Sequence, residues 1–298
     1  SGDENSPRIL GAFNEKTPDW LSFFFFTFLT DRDGKYQLAA LAESGFDPLS
    51  RTCKFMLTEE AHHLFVGETG IGRILQRTAE VAKDLGSEDP DRLRGAGVID
   101  FHTIQKYLNF HFSVTLDLYG GEVSTNAANF YTMGLKGRFE ETKLGDDHKL
   151  GNDTYEVPVQ TNGSLGTERV SALTALNERL RDDYIVDCQK GVDRWNKMLE
   201  RAGAEFRMSL PHKCFHRRVG RFDIEAVDAV NFDPTGKIIS EADWTHRHTD
   251  WLPTTEDHAY VASLMQPVKE PGKMANWIAA PRTGINSQPQ DFEYIRFN

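Results

Sequence analysis

Leu57-Thr58-Glu59-Glu60-Ala61-His62-His63-Leu64-Phe65 sets two carboxylates and two imidazoles three residues apart inside an apolar helical stretch. On an α-helix, positions i and i+3 share a face, so Glu60 and His63 can reach one point in space. Glu59 and His62 form a second such pair, rotated by roughly 100° about the axis. A Glu-x-x-His turn facing the core of a helical bundle is the ligand unit of carboxylate-bridged di-iron and di-manganese sites. Met56, Glu60, His63 and Gly67 lie on one stripe, which favours the Glu60/His63 register over Glu59/His62. The competing reading is a solvated pair on an exposed helix surface. The apolar flanks Phe55-Met56-Leu57 and Leu64-Phe65-Val66 weigh against it, because charged groups are rarely buried without partners.

Working outward, Pro18-Asp19-Trp20-Leu21-Ser22 reads as a helix start, and the helix is expected to run through Phe23-Phe24-Phe25-Phe26 to about Ser44. Gly34 within it is a candidate kink. Phe46 to Ser50 reads as a turn, and the Glu/His helix as running from near Ser50 to Lys83. Its Gly67, Gly70 and Gly72 permit close approach by a neighbouring helix. Asp100 to Met133 reads as one or two helices interrupted around Gly120-Gly121, and Ala172 to Gly203 as another amphipathic helix. After about Met208 the pattern changes. Phe232 to Ile239 reads as strand, tight turn, strand, and the Pro- and Trp-bearing tail as irregular chain wrapped over the helices. The expected organisation is therefore a helical portion over 1–207 and an irregular C-terminal extension over 208–298.

A di-iron bundle site takes one carboxylate from each of two helices and one Glu-x-x-His from each of two more. Here the preceding helix supplies Asp31, on the face shared by Phe24, Thr27 and Phe28, with Asp33 as its competitor. Glu-x-x-His does not recur in the chain. Asp243 and His246 imitate it in the tail, and Asp146-Asp147-His148 is a further metal candidate; a surface loop is the simpler reading of each. Half a site is present. The remaining ligands are expected upstream of Ser1 or on another chain, and the linker-like opening Ser1 to Pro7 fits a chain that begins inside something longer.

The 298 residues carry a net charge of −11, which argues against nonspecific nucleic-acid binding. Three cysteines, Cys53, Cys188 and Cys214, make neither a disulfide framework nor a Cys-x-x-Cys pair, so a reducing, cytoplasmic setting is expected. The apolar run Trp20 to Leu29 is too short to cross a membrane.

Several stretches together resemble the oxygenase components of the benzoyl-CoA 2,3-epoxidase family. They are Asn5 to Leu10, Phe13 to Ser22, Thr30-Asp31-Arg32-Asp33-Gly34-Lys35, Phe55 to His63, Ala175 to Asp183 and Asn276 to Pro281. The resemblance implies a mainly α, ferritin-like di-iron bundle, present here in part as the C-terminal portion of a longer protein. It implies Asp31, Glu60 and His63 as iron ligands. It also implies benzoyl-CoA and O2 as substrates and an NADPH-dependent flavin/iron–sulfur reductase as electron donor. Nucleotide fingerprints and clustered cysteines for that second role are missing from the sequence. Phe24, Thr27 and Phe28 become candidate substrate contacts, with ordinary bundle core as the alternative. Another aryl-CoA, such as phenylacetyl-CoA, and a non-catalytic assembly subunit are the competing functions. Finally, His212 to Arg221 is the densest basic segment, a candidate for coenzyme A phosphates or else a solvated face.

Overall fold

The computed structural model describes residues 11–13, 15–161, 164–215, 231–284 and 286–297. Its regular elements are α1 (Trp20–Ala42), α2 (Asp47–Leu85), α3 (Pro90–Gly95), α4 (Phe101–Leu116), α5 (Thr125–Thr132), the strands β1 (Thr154–Thr161) and β2 (Ser164–Ser171), and α6 (Leu176–Ala202). The C-terminal part adds β3 (Asn231–Phe232), β4 (Ile238–Ile239), α7 (Glu241–Trp251), α8 (Thr255–Ser263), β5 (Lys273–Ala275) and β6 (Glu293–Ile295). The protein is mainly α, as its periodicity predicts.

α1 is the central helix. Asp19 caps it by accepting the Ser22 amide at 2.7 Å, and the helix passes Gly34 without a break. Its apolar residues point all round rather than to one side, the pattern of a helix buried on several faces. Leu21, Phe25, Phe28 and Leu29 are fully enclosed because α2, α4 and α6 all pack on α1. Phe28 meets Trp195 of α6 with ring centroids 4.6 Å apart, and Phe25 meets the same indole edge-on at 6.4 Å. The Phe23–Phe26 run is thus explained by position alone.

α2 is amphipathic along its second half and bare along much of its first. From Gly67 onward Ile71, Ile74, Leu75 and Ala79 enter the core, whereas Phe55 is 71% and Phe65 is 65% exposed. Pro48 sits in its first turn, so the helix starts at Asp47, slightly ahead of the expected Ser50. Gly86 ends it in the left-handed conformation, its N–H returning to Ala82 and Lys83. The expected break near Gly120-Gly121 is present, with a single 3-10 turn, Asp117–Tyr119, between α4 and the gap before α5.

Two features differ from the sequence reading. Residues 154–161 pair antiparallel with 164–171, so that Tyr155 faces Val170 and Val157 faces Glu168. The alternation Tyr155, Val157, Val159 ahead of Asn162-Gly163 is a hairpin signal that helical periodicity on either side obscures. The extension is also less irregular than expected. The strand–turn–strand at 231–239 is present as antiparallel β3–β4, but α7 and α8 follow it, each with a side-chain N-cap, Ser240 and Thr254. Both helices are short and mostly exposed, so neither leaves a long apolar stripe in the sequence. Among the described residues no helix is long and apolar enough to cross a membrane.

The extension shares the core of the bundle, through Val261, Leu264, Trp277 and Ile278. Polar ties fix its placement. Asp257 of α8 accepts from Arg94 at 2.6 Å and from Lys106 at 3.0 Å, while Arg94 also grips Asp100 at 2.7 Å. Burial alone would raise the Asp257 pKa, but the Thr254 amide, Lys106 and Arg94 hold it well below the usual carboxylate range. Asp257→Ala is expected to cost about 2–4 kcal/mol, because two largely desolvated cations lose their counter-charge. Urea unfolding measures it; a change within about 0.5 kcal/mol would mean that α8 is not coupled to the bundle.

Candidate metal centre

The α1–α2 hairpin builds the site. The Ser50 hydroxyl donates to the Ala42 carbonyl at 2.5 Å across the turn, and the Gly45 amide donates to Gly134 at 2.7 Å, holding the turn against the end of α5. Along the two helices close approach is set by glycine. A methyl group on Gly67 would lie 2.5 Å from the Phe28 nitrogen and 2.6 Å from the Thr27 hydroxyl oxygen. One on Gly70 would overlap the Phe24 ring. The backbones therefore meet more closely than ordinary side chains permit.

One turn further along α1 and one turn back along α2, Asp31 faces His63. Asp31 Oδ2 lies 3.6 Å from His63 Nδ1, and Glu60 Oε2 lies 3.8 Å from the same nitrogen. One donor atom from each of the three residues falls within 4.8 Å of the others. Among the described residues this is the one such trio. The two carboxylates are largely enclosed, and His63 is 48% exposed on the bare side of α2.

Both carboxyls of the trio are held above their usual range. Burial, with Glu60 second, pushes the Asp31 carboxyl up to about 6 against the opposing pull of His63. Burial likewise raises Glu60, offset by His63. Glu60 Oε2 is buried and has no hydrogen-bond partner. An orphaned carboxylate oxygen is costly without a proton or a cation. Two carboxylates and one imidazole suit first-row transition metals, iron included. The residues present fit a metal ion.

The other sequence candidates lie elsewhere. Glu59 and His62 are exposed and do not join the trio. Asp146 is engaged by Arg138 at 2.7 Å, and Asp243 accepts from the Ser240 hydroxyl at the start of α7. Asp33 points into the protein, where Gln37 Nε2 donates to its Oδ1 at 3.3 Å. Burial pushes it up to about 7, against the hydrogen bond from Gln37 and the charge of Lys136, with the Tyr119 hydroxyl nearby. Gln37, Tyr119 and Lys136 are a supporting layer that sequence reasoning did not find. Lys136 arrives from the loop after α5, about a hundred residues away, and no spacing in the sequence announces it.

Phe24, Thr27 and Phe28 lie in the α1 seam. Thr27 donates to the Phe23 and Phe24 carbonyls, the Phe24 ring fills the space above Gly70, and the Phe28 ring fills the space above Gly191. All three are buried in the packed seam. Of the basic segment, Lys213 is spent on Glu178 at 2.5 Å and Asp182 at 2.6 Å, and Arg217, Arg218 and Arg221 lie outside the described residues. Asn5 to Leu10 and Asn14, which contribute to the family resemblance, lie outside them too.

No family profile matches the chain. The resemblance read from its sequence nevertheless extends from end to end: over all 298 residues the chain is 66% identical to benzoyl-CoA oxygenase component B of Aromatoleum evansii, and it spans 62% of that protein's length.

Proposed function

We propose that the chain is part of the oxygenase component of a benzoyl-CoA 2,3-epoxidase, and that Asp31, Glu60 and His63 are iron ligands there. The observation that carries this reading is the convergence of three donors on one enclosed point, in a chain so similar to a protein named for benzoyl-CoA oxygenation. Iron bound there would activate O2, so that one oxygen atom adds across the 2,3 bond of the aromatic thioester and the other leaves as water.

The chain's own contribution is binding and orientation. Asp31 and Glu60 supply negative charge from two helices, and burial makes each a stronger partner for a cation than it would be in water. His63 supplies a neutral donor and, being half-exposed, faces the open side where ligands from elsewhere can enter. Three donors do not complete a carboxylate-bridged pair of ions, so the remaining carboxylates come from polypeptide outside the described residues. The bundle around α1 excludes water from the inner side. Electrons come from a separate NADPH-dependent flavin/iron–sulfur reductase, and a ferritin-like arrangement is the fold this chemistry implies.

Iron per chain, measured in the full-length protein and its His63→Ala variant, tests the ligand assignment; unchanged stoichiometry would remove His63 from the site. Incubation with benzoyl-CoA, the reductase and isotopically labelled O2 tests the reaction. One labelled oxygen is expected in an epoxide or the diol derived from it, and an unlabelled or absent product would reject the epoxidase reading.

A further inference from the structure

The glycines of α2 and the donors of the metal centre are in one register. Thr27 sits against Gly67, Asp31 against His63, and Gly34 against the Glu60 carboxylate, each pair one turn further along α1 and one turn back along α2. In the other direction the same progression leads to Phe24 against Gly70. Four successive contacts therefore share a single antiparallel alignment of the two helices.

Two of these contacts have no slack. At Gly67 the obstacles to a methyl group are the backbone nitrogen of Phe28, the Thr27 hydroxyl oxygen and, at 2.9 Å, the Phe24 carbonyl. Backbone cannot step aside as a side-chain tip can. Thr27 is itself held by bonds to the Phe23 and Phe24 carbonyls. At Gly70 the three nearest obstacles are all atoms of the Phe24 ring. The Gly34 contact differs: a methyl group there would sit 3.5 Å from Glu60 Oε1, ordinary contact, so this glycine is not a constraint.

We propose that Gly67 and Gly70 are positioning residues for the metal centre, with Thr27 and Phe24 as their counterparts: the two notches set the α1–α2 register that brings Asp31 opposite His63 and Glu60. This rests on the metal reading for its consequence but not for its geometry. Helix i and i+4 positions transmit the register directly, since Asp31 is one turn from Thr27 and His63 one turn from Gly67. A one-residue slip of either helix turns a donor about 100° away from its partners.

The test uses the full-length protein with Gly67→Ala, Gly70→Ala, Phe24→Ala, and Gly70→Ala with Phe24→Ala. Affinity for Co(II) and its visible absorption bands report the donor geometry, and circular dichroism reports helix content. Gly67→Ala is expected to weaken Co(II) binding by at least about tenfold with altered bands and retained helicity. Gly70→Ala should do the same, and adding Phe24→Ala, which removes the ring atoms that a methyl group on residue 70 would meet, should restore both readouts, which general destabilisation would not. Should Gly67→Ala fail to fold, the Gly70/Phe24 pair decides. Unchanged affinity and bands in a folded Gly67→Ala or Gly70→Ala protein would overturn the proposal.

A metal-free readout separates this from the functional reading. With Asp31→Cys and His63→Cys installed, disulfide formation is expected in the parent background and reduced several-fold when Gly67→Ala is added. Equal yields in both backgrounds would overturn the register argument. If the parent protein binds no Co(II) while the disulfide yields still differ, the metal assignment fails and the register stands.

Discussion

Replacing Glu60 with Gln is expected to lower divalent-metal affinity by about 100-fold or more and, in the same protein without metal, to raise stability at pH 8. The two effects have one origin. Glu60 Oε2 is buried without a hydrogen-bond partner, and burial raises the carboxyl pKa against the pull of His63. Asp31, pushed up to about 6 by burial and by Glu60, sits beside it. Without a cation the folded chain holds two desolvated acids that repel each other. An isosteric amide removes one charge and can donate to Asp31, a relief of about 1 kcal/mol. It also removes an anionic metal ligand. Co(II) titration and thermal unfolding in chelator measure the two halves. A variant that binds metal like the parent would show that the orphaned oxygen is not a metal ligand, and one less stable than the parent without metal would show that its burial carries no net penalty.

The same groups set a pH limit on metal uptake. Asp31 must lose its proton to serve as a ligand, so affinity should fall as pH drops through about 6, above the range where an ordinary aspartate would matter.

How much of this was readable beforehand follows from where the signals lie. Glu60 and His63 are close in sequence, so helical periodicity alone places them on one face; Asp31 follows because α1 and α2 are consecutive and antiparallel. The glycines at 67 and 70 were legible as permitting close approach, but the residues that fill them were not. Phe24 and Thr27 look alike in sequence whether they line a cavity or key into a notch. Only the register of α1 against α2 separates the two, and that register is a tertiary property. Asp33 is the sharper case. In the string Asp31-Arg32-Asp33, helical spacing favours Asp31 by its face and leaves Asp33 as a competitor whose surroundings it does not reveal. Arg32 lies between them and turns to Asp187 at 2.7 Å and to the Phe28 carbonyl. Asp33 finds Gln37, Tyr119 and Lys136, two of which come from distant segments. The hairpin at 154–171 and helices α7 and α8 escaped notice for the opposite reason: they are short, exposed and locally capped, so their signals are turn chemistry rather than periodicity.

Asp33 yields the second large effect. Its carboxyl is 5% exposed, and burial pushes it from 3.8 up to about 7 in the folded chain. A carboxyl whose folded pKa is raised binds its proton more tightly when folded. Its contribution to stability is therefore fully present below about 4 and is lost as pH rises through about 7. The span corresponds to at most about 4 kcal/mol. Asp31 adds a smaller loss of the same sign between 3.8 and about 6. Glu60, also raised by burial, adds to it, and the charge of Lys136 and the bond from Gln37 act against the loss at Asp33. Asp33→Asn removes the titration and keeps an acceptor for Gln37, but it leaves the largely buried Lys136 ammonium without its carboxylate. The expected result is near-equal stability of parent and variant at pH 4.5, and a variant more stable by about 2 kcal/mol at pH 8 in chelator. Urea unfolding at the two pH values gives the comparison, and the difference between the proteins cancels acids elsewhere in the fold. Parallel pH profiles would mean that Asp33 is ionised in the folded chain at neutral pH and is fully compensated by Lys136. In that case the Asp33 carboxylate under Asp31 is balanced by the Lys136 ammonium rather than protonated, and the buried layer adds no net charge to the metal centre.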